Sequence, residues 1–132
     1  MKSLKFIIAL LLPIAFIACG KFSKVDFCFP RTVEFSKEGG EKVVKSEEGM
    51  HFTHAEIHNY ESGENGTPTT LEDGTSRNTY KWLKIEYQNN SDELKIIAEP
   101  NNSSSRKLHI ELYSGYDYQV IEVFQEAAMM LE

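Results

Sequence analysis

An all-β fold, a sandwich of two antiparallel sheets made of about seven short strands, is the architecture this 132-residue chain predicts. Three observations predict it. Hydrophobicity beyond residue 30 repeats every second residue, the period of a strand with one dry face, and not every 3.6 residues as on a helix. Turn-forming residues punctuate the chain at short, regular intervals. The composition, 41% apolar and 26% charged, is that of a globular chain with its own core. The same composition excludes a class of partner, because a net charge of −6 does not suit a nucleic-acid surface.

The elements follow in order. Thr32-Val33-Glu34-Phe35-Ser36 alternates polar and apolar and reads as the first strand. Ser36 to Gly40 is a turn, since paired glycines accept positive φ. Glu41 to Ser46 is the second strand, Glu47-Glu48-Gly49 a turn, and Met50 to Tyr60 the third strand. Tyr80 to Tyr87 reads as one continuous strand, followed by a turn over Gln88 to Asp92. Leu94, Ile96 and Ala98 then alternate with Lys95, Ile97 and Glu99. Leu108, Ile110 and Leu112 alternate with Lys107, His109, Glu111 and Tyr113. A turn at Ser114-Gly115-Tyr116 leads into the last strand, Tyr118 to Gln125, and a fraying tail closes the chain. One segment breaks the rhythm. Glu61 to Asn78 is eighteen residues of mostly Gly, Thr, Ser, Asn and acid, with Leu71 its only large apolar side chain, and it is expected as a mobile surface loop in preference to a specific binding loop.

The start of the chain is an address. Met1 to Lys5 is short and positive, and Phe6 to Ala18 is thirteen residues without a charge. That run is too short to span a bilayer, which takes roughly 20 apolar residues, and Pro13 interrupts it. With Phe16-Ile17-Ala18-Cys19-Gly20 it resembles the bacterial lipoprotein signal, in which the cysteine becomes the first mature residue and its sulfur carries a diacylglyceryl group. The resemblance implies residues 1–18 as signal peptide and a lipidated Cys19 that anchors the protein to the outer membrane of the cell envelope. Lys2 and Lys5 leave with the signal, so residues 19–132 carry 12 basic against 20 acidic residues, a net −8. No acid stands between Gly20 and Val25, so a periplasm-facing anchor is at least as expected as display outside. Acylated Cys19 would leave no second cysteine for an intrachain disulfide, and Cys28 is expected as a small buried hydrophobe between Phe27 and Phe29.

Val33 to Ser36 with Gly39-Gly40 and Val43-Val44, then Trp82 to Ile85, then Asn102 and Arg106 with Leu108 and Ile110, and finally Ile121 to Ala127, resemble the BACON domain. The name abbreviates "Bacteroidetes-associated carbohydrate-binding often N-terminal". The most specific element is an arginine opening one strand followed by a final strand closing on Gln125. The resemblance implies an immunoglobulin-like sandwich over residues 31–127, a tether over 19–30 and a tail over 128–132. It implies a module of exported proteins, with glycan or another envelope protein as partner, no cofactor and no catalytic residues. This chain has Phe52 where members commonly carry tryptophan.

Two constellations are candidates for chemistry. His54 and His58 share one strand face with Glu56, whereas His51 points to the other. Residues 54 and 58 lie roughly 13 Å apart along an extended strand, too far for one metal ion without a bulge, so solvated or hydrogen-bonded histidines are expected. Aromatic rings are the other candidate, since their faces meet the C–H face of a sugar. Tyr113, Tyr116 and Tyr118 gather around a glycine turn, and Tyr60 and Tyr80 flank the long segment. Trp82 is expected in the core. No nucleophile elbow, zinc-protease motif or phosphate loop occurs, so no enzyme is expected. Two readings of function remain, a glycan-contact or adhesion module and a spacer or accessory subunit without a ligand of its own.

Overall fold

A computed structural model describes residues 28–115 and 117–128; Cys19, Tyr116 and the last four residues lie outside it. The described residues form two five-stranded sheets and no helix. One sheet runs β1 (Thr32–Phe35), β10 (Asp117–Gln125), β9 (Arg106–Ser114), β3 (His54–Asn59), β4 (Glu64–Asn65). The other runs β2 (Gly40–Lys45), β8 (Glu93–Ala98), β7 (Leu83–Tyr87), β6 (Ser76–Tyr80), β5 (Thr67–Thr70). The all-β sandwich stands as expected, with more strands. Its pairing is antiparallel except at one edge, where β1 lies parallel to β10 with Thr32 beside Glu122 and Phe35 beside Gln125.

The alternation in the sequence becomes the core. Val33, Phe35, Ile57, Leu108, Ile110, Leu112, Ile121 and Val123 of the first sheet meet Leu83, Ile85, Leu94, Ile96 and Ala98 of the second, all buried. Phe52 plugs one end, wholly buried, edge-on to Phe29 at 5.6 Å and tilted against Tyr87 at 5.3 Å. Position 52 is thus a packing position. At the β1–β2 turn Gly39 takes a φ of 75°, and a Cβ there would sit 2.3 Å from the carbonyl oxygen of Ala98, so only glycine fits.

Three expectations are corrected. The segment expected as a mobile loop, 61–78, is half strand: β4, β5 and the first part of β6. β5 is an exposed edge, where Pro68 is tolerated and threonine suffices. β4 belongs to one sheet and β5 to the other, so the chain crosses the sandwich at Gly66. Its N–H donates to the Ile57 carbonyl at 2.8 Å, and a Cβ would fall 1.9 Å from Asn78 Oδ1. Buried Asn78 uses that oxygen to accept the Ile57 N–H at 2.9 Å, which ties one sheet to the other. Secondly, the strand expected over 80–87 is two strands. Tyr80 pairs with Leu83 across a two-residue turn in which Lys81 has a φ of 51°. Thirdly, Cys28 is buried as expected, but its sulfur is in a disulfide whose partner lies outside the described residues.

Gln125, also wholly buried, closes the far end. Its Nε2 donates to the carbonyls of Ser36 at 3.1 Å and Glu99 at 2.8 Å, and its Oε1 accepts Arg106 Nε at 2.8 Å. The Arg106 guanidinium lies over the Trp82 ring, 4.6 Å from its centre. Trp82 is therefore core, roofed by an arginine.

Candidate functional site

Register brings the candidate side chains together. β3, β9 and β10 are neighbours, and their outward residues fall into rows across the sheet. His54 stands opposite Tyr113, which stands opposite Tyr118. The next outward row is Glu56, Glu111 and Val120, and the next His58, His109 and Glu122. Tyr60, just past β3, folds back over the third row with its ring stacked on His109 at 4.2 Å. Tyr60, Tyr113, Tyr118, His54 and His58 thus share one solvent-facing surface, although nearly sixty residues separate the first tyrosine from the last.

Glu111 is the hub of this face. Tyr60 donates its hydroxyl to Glu111 Oε2 at 2.6 Å, and Tyr113 donates to Oε1. His58 Nε2 lies 3.1 Å from Glu111 Oε1 and 3.0 Å from Glu56 Oε1, without the alignment of a hydrogen bond. The imidazole sits between two carboxylates that face each other directly across the strands. His54 Nε2 holds the other Glu56 oxygen at 3.2 Å. Burial pulls the Glu111 carboxyl up, but the Tyr113 and Tyr60 hydroxyls and the nearby histidines outweigh it and leave the group below its ordinary range. Burial and the same carboxylate push both phenols above theirs. Burial lowers His109, partly offset by Glu122.

Two rings remain open to solvent. Tyr60 is 51% exposed and Tyr118 49% exposed, and with His54 and Tyr113, stacked at 5.8 Å, they form a ridge of flat surfaces over a polar floor. Such a surface can offer ring faces to C–H groups and carboxylate or imidazole atoms to hydroxyls. Among the described residues no group of three or more His, Cys, Asp or Glu side chains is arranged to hold a metal ion. Tyr80 stands apart. It is buried on β6, takes a bond from Asn59 Nδ2 at 3.1 Å and donates to Glu64. Tyr116 lies outside the described residues. Sequence reasoning missed Glu111 and His109; nothing marks them in one dimension, because only the β3–β9 pairing sets them beside His58 and Tyr60.

The comparisons with known proteins agree on architecture and on little else. Residues 72–126 match the family model BACON, described as "Putative binding domain, N-terminal". The matched stretch contains Trp82, Arg106 and Gln125, and is shorter than the 31–127 over which the sequence resembles that family. A solved structure, "NMR structure of the protein from Bacteroides thetaiotaomicron", superposes with a TM-score of 0.50 at 17% identity, over 74% of this chain and 77% of that one. That likeness concerns the fold. No protein of curated function matches the chain.

Proposed function

We propose that the protein is a lipid-anchored, non-catalytic binding module of the cell envelope, and that the outer face of β3, β9 and β10 contacts glycan. One observation carries the reading: the register gathers exposed Tyr60 and Tyr118 with Tyr113 and His54 over a floor of carboxylates and imidazoles. The match to a family described as a binding domain supports it. The charge-free run before Cys19 supports the anchor, through which the membrane would be the first partner; the anchor takes the Cys19 sulfur, so the lipidated form has no Cys19–Cys28 disulfide. A glycan array probed with the full chain in detergent tests the function. Signal on a subset of plant or mucin glycans, lost in Tyr118→Ala, is expected; silence across the array ends the glycan reading.

A second reading, a spacer or accessory subunit, draws on a different observation. The Tyr60 and Tyr113 hydroxyls are both committed to Glu111, which makes the face self-satisfied. That reading predicts the silent array.

A further inference from the structure

At the opposite end of this face, where β3 ends, β9 begins and the β6–β7 turn closes, the two sheets part around an open cleft of about 400 Å³. Clefts of that size take small ligands. In a chain of net −6 the cleft is lined by three cations, Lys81, Arg106 and Lys107, with Glu61 the one acid among its lining residues. Their situations differ. Lys107 is paired with Glu122 at 3.3 Å. Arg106 is fixed by Gln125 and, through Nη2, by the carbonyls of Glu99 at 3.3 Å and Pro100 at 3.2 Å. All its bonds go to uncharged acceptors and leave Nη1 uncommitted. Burial also lowers its pKa, the signature of a guanidinium held partly out of water.

Lys81 is the second unusual cation. It occupies the first position of a two-residue hairpin turn with a φ of 51°, where glycine is the ordinary residue. A lysine held in the left-handed region costs stability, and such strain often marks a functional position. Its Nζ lies 5.4 Å from the centre of the Tyr80 ring, and no carboxylate of the described residues comes within ion-pair distance. Arg106 is fixed and Lys81 is exposed beside it, and neither has an ion pair among the described residues. Glu64 lies near enough to sense Lys81, and Glu99 near enough to act on Arg106. Together the two cations offer a seat for an anion that a ligand brings. Hydroxyl-bonding groups stand beside them, the Ser105 side chain and the Asn59 amide, which keeps one N–H beyond its bond to Tyr80.

We infer that this cleft binds a saccharide of the hexuronate class, with its carboxylate between Arg106 and Lys81 and its ring hydroxyls toward Asn59 and Ser105. The inference rests on the glycan-binding reading above but places a separate, charge-selective subsite. Trp82 is the only tryptophan of the chain and lines this cleft beneath Arg106, so its emission is a probe of the cleft. The experiment titrates the full chain in detergent with trigalacturonate and with its neutral methyl ester, following that emission. A saturable change with the acid and none with the ester is expected. Lys81→Gly should raise the melting temperature by relieving the turn while weakening the acid's affinity about fivefold, the scale of one partly exposed ion pair. No response to the acid, identical curves for acid and ester, or unchanged affinity in Lys81→Gly would each overturn the inference. Loss of array signal in Tyr118→Ala tests the tyrosine face by a different readout, so the two readings fail separately.

Discussion

Glu111 stands directly opposite Glu56, and two like charges at that spacing should weaken a sheet. They are held by what surrounds them: two phenols donating to Glu111, and His58 between the carboxylates. Because the folded-state pKa of Glu111 lies below its ordinary value, its ionised form contributes stability above the unfolded pKa, and that contribution is lost as pH falls through the folded one. Glu111→Gln should therefore cost about 1–3 kcal/mol near neutral pH, by the loss of charge-assisted bonds at a half-buried site. The variant should also lose less stability than the parent between about pH 6 and pH 3. Urea denaturation across that range checks both statements, and parallel pH profiles would refute the role given to this carboxylate. At this scale the sequence is legible by residue type. Tyrosines at 60, 113 and 118 and histidines at 54 and 58 stand out as ring-bearing candidates. Their partner Glu111 does not, because a glutamate on a strand looks like any solvated acid until its cross-strand neighbours are known.

Strands with a clean apolar face, such as β9 and β10, can be read from the sequence to within a residue or two, because half their side chains must enter the core. β5 and β6 cannot. β5 buries nothing, and β6 turns Asn78 inward where a hydrophobe would announce the pattern. Asn78 is worth its place because it accepts an N–H from the opposite sheet, and that bond depends on Gly66. Gly66→Ala should push the Asn78 amide aside, leave the Ile57 N–H without its acceptor, and destabilise the domain by about 2–4 kcal/mol. Chemical denaturation of the variant measures it; a loss below about 0.5 kcal/mol would mean that the crossing does not need glycine. The β6–β7 turn escaped notice for a related reason. Lys81-Trp82 carries none of the Gly, Asn or Asp chemistry by which short hairpins are recognised.

For the whole molecule, the two-residue period was enough to give the sandwich, since it fixes which residues are dry and so how many layers can form. The parallel edge was not legible, because alternation is the same whichever way a neighbour runs. The state of the two cysteines is likewise a question of the whole chain. A thioether at Cys19 and a disulfide between Cys19 and Cys28 require the same sulfur, so they cannot coexist. Intact mass of the membrane-extracted protein without reductant should show the diacylglyceryl increment; a delipidated, two-hydrogen-light chain would remove the anchor from the proposal. The parallel pair has a mechanical consequence. Phe29 enters beside Gln119 and the chain leaves β10 beside Phe35, so the two run the same way along the sandwich edge. Tension applied between those two points would load the bonds from Glu122 N–H to Arg31 and from Glu126 N–H to Phe35, with the ladder between them, in shear and all at once. Under such a pull the domain would yield only by breaking that edge together, rather than by unzipping it one bond at a time.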